Sequence, residues 1–254
     1  MTHPSGDARF IQSFQTSDCE RGGRSLEPSR VEERLIGEGS ARTRDRLLDA
    51  AESLFAARGF RATSVRNITA EAACNVAAVN YHFGGKVNLY REMFHRRLVA
   101  LRDQRVSSIR RAMAKAGSRA GLETLLRAFT MAFLEPHLDQ SGGRRLMQLF
   151  SRELLDPHLR PGTLRREMVE PVQRELGGAM RSLCPGLDER SARRCSHSLI
   201  AQLVHVVQMR HAPGAARGGH RDDFALAAVV DHIVRFSAAG FRAQARRDAP
   251  GGAA

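Results

Sequence analysis

The sequence predicts an all-α protein. Its apolar residues, mostly Leu, Ala and Val, recur at three- and four-residue steps, the period of a helix with one buried face. No long alternating Val/Ile/Tyr segment offers a strand. Trp is absent and aromatic residues make up 6% of the 254 positions, so the core is aliphatic. A hydrophobic content of 42% is enough to bury one large core or two modest ones.

Taken in order, residues 1–40 are rich in Ser, Gly, Arg and Glu without an apolar period, and 5 Arg face 7 acids. A disordered arm is expected, and its acidic balance argues against entry into a DNA groove. The run Gly37 to Ser40 lacks a preceding strand and the third glycine of a nucleotide loop. From Thr43 a helix is marked by Leu47, Leu48, Ala51, Leu54 and Phe55, closed by Gly59. Thr63 or Ser64 caps a second helix with Val65, Ile68 and Ala72 inward, broken near Cys74. Asn75 then caps a short third helix, Val76 to Phe83, stopped by Gly84-Gly85. Two short helices joined by a tight turn are the helix-turn-helix plan.

A long amphipathic helix follows from Lys86 to about Ala116, roughly 45 Å at 1.5 Å per residue, and joins two domains. Further helices are expected near 119–138, 144–155, 162–183, 188–211 and 223–243. They are separated by Pro136, Gly142-Gly143, Pro157, Pro161, Pro185-Gly186 and the loop from Pro213 to Gly219. Gly177-Gly178 marks a bend or a close approach inside one of them. The expected organisation is an arm over 1–40, a helix-turn-helix domain over 41–90, a helical domain over 91–243 and a disordered tail over 244–254.

The net charge is +13, with all but two of the 40 basic residues Arg, the exceptions being Lys86 and Lys115. The excess suits nucleic acid or anionic lipid, and a GC-rich coding bias also produces it. Cys19, Cys74, Cys184 and Cys195 have no paired spacing and no signal peptide precedes them, so reduced cytoplasmic thiols are expected. Cys74 reads as a small buried hydrophobe. The longest uncharged stretch, Cys195 to Met209, is short of the roughly 20 residues that span a bilayer. No nucleophile elbow, zinc-protease motif, P-loop or dinucleotide fingerprint occurs, so an enzyme is not expected. His197 and His205 lie about 12 Å apart along one helix, too far to share a metal, and no cofactor is implied.

On a wheel of 100° per residue, Val79 and Phe83 of the third helix point one way, with Val76 nearby. Ala77, Asn80 and Tyr81 lie opposite, flanked by Ala78 and His82. Asn pairs with adenine N6/N7 and an Ala methyl meets the thymine methyl, so this face suits a major groove.

Thr63-Ser64-Val65-Arg66-Asn67-Ile68, then Tyr81-His82-Phe83-Gly84-Gly85-Lys86, then Leu89-Tyr90, closely resemble the N-terminal domain of the TetR family, over about residues 43–90. The run Asn75 to Phe83, with Phe150-Ser151-Arg152-Glu153-Leu154, also resembles the CecR branch. Ala73 stands where the family usually has the turn glycine, which implies either no positive φ there or a modest strain. Gly85 stands where Ser, Asn or Thr often caps the fourth helix, a small loss.

The resemblance implies that Lys86, Thr63, Ser64 and His82 contact phosphate, that Arg66 reaches backbone or a base edge, and that Asn75, Ala77, Ala78, Asn80 and Tyr81 lie at the DNA. Arg42, Arg44 and Arg46 either touch flanking backbone or form an ordinary solvated face. It further implies a C-terminal ligand-binding and dimerisation domain, a homodimer on a palindromic double-stranded operator, and repression relieved by a small-molecule effector in the cytoplasm. Activation, ligand-independent regulation and, remotely, a membrane-surface role are the alternatives.

Phe129, Phe133, Leu146, Met147, Phe150 and Met168 are read as cavity lining or as plain core. Arg152 with Glu153 is a surface pair or a polar element near the pocket. The basic balance of residues 91–254 suits an anionic effector or is surface composition. Helices 188–211 and 223–243 are expected to form the dimer through Leu199, Leu203, Val206, Val230 and Ile233, with Phe224, Leu226 and Phe236 adding apolar surface.

Overall fold

The computed structural model describes residues 30–116, 121–211 and 225–249. The chain divides into two compact units, Met1–Ser40 and Ala41–Ala254. Among the described residues every regular element is helical. Helix α1 spans Arg30–Ala62 and bends at Gly59, where φ is 82° and ψ 171°. Its start falls within the stretch expected to be a disordered arm. Glu32, Glu33, Arg34 and Leu35 are good helix formers, and they carry the helix through Gly37 and Gly39. Residues 1–29 of that expected arm, Cys19 included, lie outside the described ones.

Helices α2 (Val65–Glu71), α3 (Ala77–Phe83) and the start of α4 (Lys86–Ala116) pack with α1 into a small head. Leu47, Leu48, Ala51 and Phe55 of α1, Ile68 and Ala72, Val79 and Phe83, and Leu89, Tyr90, Met93 and Phe94 form its core. The head does not stop near residue 90: Leu149 is part of the same core, and Phe150 and Leu159 pack against it. The helical period that put Leu47 inward and the wheel that did so for Val79 and Phe83 describe what is buried.

The second core gathers Ile109 and Ala112 of α4 with one face each of α5 (Leu122–Leu134), α7 (Glu170–Leu183), α8 (Glu189–His211) and α9 (Leu226–Asp248). Phe129 and Phe94, fully buried in the two cores, would each cost about 3–5 kcal/mol on truncation to Ala. Pro136 ends α5 in a short 3-10 turn, Glu135–His137, before α6 (Gln140–Leu155). A π-turn, Arg165–Val169, leads into α7, which runs unbroken through Gly177-Gly178. Helix α9 continues to Asp248, through the start of the expected tail: Ala245 is buried, and the Gln244 amide donates to Asp248 at 2.7 Å. Residues 250–254 of that tail, and Phe224, lie outside the described ones.

Candidate nucleic-acid interface

Local chemistry sets the angle of α2. The Asn67 N–H donates to the Ser64 hydroxyl at 3.1 Å and the Ser64 N–H donates back to the Asn67 side chain at 3.0 Å, a reciprocal cap. Ser64 is therefore exposed at a helix start, with Arg66 exposed two residues on. Thr63 has a different task. It is fully buried, and its hydroxyl donates to the Gly59 carbonyl at 2.8 Å, so the expectation of a phosphate contact there is corrected. The site before the cap is where α1 ends, and the hydroxyl satisfies a carbonyl that the bend at Gly59 leaves without a helical partner.

The turn between the helices passes through Ala73 at φ 49°, the one non-glycine residue with positive φ among the described residues. An L residue there costs about 1 kcal/mol. Cys74 is half-buried and its thiol donates to the Ala72 carbonyl at 3.1 Å, a structural role. The Asn75 side chain accepts from the Ala77 N–H at 2.9 Å and so caps α3. Val76, expected near the inner side, is 46% exposed because α3 begins one residue later.

Val79 and Phe83 anchor α3, and the opposite face presents Ala77, Asn80 and Tyr81 to solvent, the tyrosine 82% exposed. Ala78 leans on the core, and the His82 ring sits between Tyr81 and Phe83, 5.0 and 6.1 Å from their centroids. Gly84 ends α3 in the left-handed region, and Gly85 follows at φ 130°, a backbone that side-chain-bearing residues rarely adopt. Glycine at 85 is thus demanded by the turn, and is more than a weakened cap. Lys86 opens α4 with its ammonium 4.2 Å from the centre of the Phe60 ring, and partial burial lowers its pKa. A cation at a helix N-terminus with no acidic residue in its first turn suits phosphate. Arg44 is committed elsewhere, to Glu92 at 2.6 Å and over the Phe83 ring, whereas Arg42 and Arg46 are exposed.

Sequence reasoning missed how α6 grips this head. The Arg152 guanidinium donates to the carbonyls of Ala56 and Ala57 at 2.9 and 2.8 Å, capping the end of the straight part of α1. Arg61 pairs in a fork with Asp156 at 3.0 and 3.1 Å. Glu153 accepts from the Tyr90 hydroxyl and from the backbone of His158 and Leu159. The expected Arg152–Glu153 pair does not form, since the two neighbours serve different partners.

The expected pocket residues are divided between the two cores, with Phe133 and Met168 both in contact with Arg105. Phe129 and Phe133 lie in the second core, Phe150 packs edge-on against Phe94 in the head, Leu146 is buried, Met147 packs on the second core, and the Met168 sulfur accepts from Arg105 at 3.4 Å. A cleft of about 370 Å³ lies instead between α4 and α7, lined by Ile109, Arg110, Met113, Glu175, Gly178 and Ala179 among others. Leu199, Leu203, Val230 and Ile233 are buried within the protomer's own core and Val206 is half-buried, so the expected dimer set is corrected. The outer face of α8 and α9 carries Val204, His205, Met209, His232 and Phe236 instead. His197 and His205 are exposed, and no cluster fit to hold a metal occurs among the described residues. Burial raises the thiol pKa of both Cys184 and Cys195.

A tight pair of short helices, one anchored by two apolar residues and open on its other side, joined by α4 to a larger helical domain, defines a helix-turn-helix regulator. Residues 47–93 match the family described as bacterial regulatory proteins, tetR family, and residues 127–240 match the tetracyclin repressor-like C-terminal domain. The chain belongs to the TetR family, whose members are DNA-binding transcriptional regulators and not enzymes. It is similar to the probable HTH-type transcriptional regulator YttP of Bacillus subtilis (strain 168), 45% identical over 47 residues, which is 18% of this chain and 23% of that protein. In fold it is similar to a putative TetR-family regulator from Mesorhizobium loti, with TM-score 0.58 and 19% identity over 80% of this chain and 96% of that one. A putative regulator from Pseudomonas aeruginosa PAO1 gives 0.55 and 22% over 78% and 93%. One from Saccharomonospora viridis, in complex with choline, gives 0.52 and 20% over 78% and 94%. No helix among the described residues is long and apolar enough to cross a membrane.

Proposed function

We propose that this protein is a cytoplasmic repressor that binds a palindromic operator as a homodimer and is released by a small-molecule effector. The observation that carries the DNA reading is Tyr81, 82% exposed beside Asn80 on a helix whose other side is locked by Val79 and Phe83. A large aromatic held rigidly in solvent is prepared to meet a base edge or the backbone. Ser64, Arg66, His82 and Lys86 surround it with phosphate-binding groups, and the charge of +13 favours the encounter.

A twofold dimer formed by the outer faces of α8 and α9 presents two copies of α3 to half-sites roughly 34–36 Å apart. Effector binding in the larger domain shifts that spacing through α4 and through the grip of α6 on α1. Resemblance at Asn75 to Phe83 and at Phe150 to Leu154 supports a CecR-like reading within the family. Activation of transcription by the same contacts is the second reading.

Selection of bound duplexes from randomised DNA, followed by footprinting and salt titration, tests this. The expected product is an inverted repeat bound by two protomers with a steep salt dependence. Retention of the protein by anionic vesicles, with no sequence enriched from the pool, would refute it.

A further inference from the structure

Arg105 lies on the inner face of α4 and is 5% exposed. Among the described residues its guanidinium pairs with no carboxylate. It stacks 4.0 Å from the centre of the Phe133 ring and donates to the Met168 sulfur, a weak acceptor, while its Nε has no partner. Two further buried polar atoms without partners lie on the chain segment that packs along α4: the hydroxyl of Thr130 on α5, and Nδ1 of His137 seven residues on, in the 3-10 turn. Phe133 lies between them in sequence, with the Arg105 guanidinium over its ring and the His137 ring tilted at 31° to it, 6.3 Å between centroids.

A buried charge without a counter-ion is among the costliest things a fold can hold, and native proteins rarely leave several polar atoms unmatched in one place. Burial lowers the Arg105 pKa only to about 10, so the group is cationic at neutral pH. His137 is held down to about 4 by burial and by Arg105 and His211, so it is neutral there. The seam thus offers one positive charge, a fork of donors, a hydroxyl and a neutral imidazole, walled by Phe133 and Met168. One turn further along α4, Ile109 lines the cleft between α4 and α7 together with Met113, Gly178 and Ala179 and the charged Arg110, Arg174 and Glu175, with Met113 about 12 Å along the helix from Arg105.

We propose that Arg105, Thr130 and His137 form the receptor for the carboxylate of an amphiphilic monocarboxylic acid, whose apolar body lies in the cleft between α4 and α7. A planar carboxylate matches the guanidinium fork and returns the seam to neutrality, whereas a dianion leaves a charge unmatched. This rests on the reading of the protein as an effector-relieved regulator and names the effector's class. Bound there, the acid touches both α4 and α7.

Calorimetric titration of the full chain with octanoate, octan-1-ol and octylammonium is the test. Octanoate is expected to bind at least roughly tenfold more tightly than either analogue, and Arg105→Met to remove that preference. Ligand-free Arg105→Met is expected to melt no lower than wild type, because a neutral side chain of similar shape replaces an unmatched charge. Should that variant not fold, Thr130→Val takes its place, with octanoate weakened several-fold and octanol unchanged. Equal binding of octanoate and octanol, undiminished octanoate binding in the variant, or no binding of octanoate, decanoate or benzoate at millimolar concentration would each overturn the proposal. Arg105-dependent octanoate binding that leaves operator affinity unchanged would uphold the receptor and refute effector-relieved repression.

Discussion

The hydroxyl of Tyr90, near the start of α4, donates to the Glu153 carboxylate at 2.7 Å across 63 residues of sequence. The same carboxylate accepts from the His158 and Leu159 backbone, and burial together with this bond raises the Tyr90 pKa. Next to it, Arg152 caps α1. Helix α6 therefore holds the DNA-binding head at two points, so α4 is not the sole route by which the larger domain can move α3.

Breaking either hold loosens the head. Arg152→Ala leaves two carbonyls of α1 without the guanidinium, and Tyr90→Phe removes one of the Glu153 donors. Each should cost about 1–2 kcal/mol in urea unfolding. Stability equal to wild type in both variants would show that α6 does not grip the head.

At the proposed DNA face, Tyr81→Ala and Asn80→Ala should each weaken the selected operator by about 1–3 kcal/mol and leave nonspecific binding alone. Lys86→Ala should weaken both and lower the salt slope by about one unit. Thr63→Ala should act on stability, since its hydroxyl is turned inward. Gel shifts at three salt concentrations separate these outcomes, and wild-type operator affinity in the Tyr81 and Lys86 variants would mean that α3 docks differently.

Ala73 carries strain that glycine would release. Ala73→Gly should raise stability by about 0.5–1 kcal/mol, the relief exceeding the extra entropy of the unfolded chain. The check is a higher urea midpoint at an unchanged slope; a lower midpoint would show that Ala73 is comfortable where it sits.

Leu203 and Val204 are adjacent, yet one is fully buried and the other exposed. Val204→Glu or Phe236→Glu should yield a folded monomer by light scattering and circular dichroism. Leu203→Glu should unfold the protomer, because a charge placed in a closed core has no partner. A dimer that survives both surface changes would move the interface elsewhere.

His137 makes stability depend on pH. Its pKa falls from 6.5 to about 4 in the folded state, through burial first and then the charges of Arg105 and His211 that face it, so the unfolded chain takes up the proton first. Its contribution is complete above pH 6.5 and is lost as pH falls towards 4, by up to about 1.4 kcal/mol per pH unit. His137→Phe should flatten the unfolding profile over that interval, and a slope identical to wild type would assign the loss to other groups.

The sequence by itself determined the helices of the head and the face that α3 shows to solvent. Those depend on local terms: a 3.6-residue period at Leu47, Val79 and Phe83, the Ser64 and Asn75 caps, and the Gly84-Gly85 stop. A wheel is sufficient when one side of a helix is apolar and the other is not, as in α3. In α8 the stretch from Cys195 to Met209 is uncharged on both sides, so packing alone chose Leu203 for the protomer's core and left Val204 outside. Phe150 likewise fits either core by composition, and only the docking of α6 on Phe94 assigned it to the head. Arginine types nearly all of the basic positions, so nothing in the sequence sets Arg105 or Arg152 apart. Their roles come from partners outside their own helices: Phe133 and Met168 for one, and the carbonyls of α1, about 95 residues earlier, for the other. Those neighbours are supplied by the tertiary fold, and the free energy of a buried guanidinium depends on them rather than on the residues beside it in the chain.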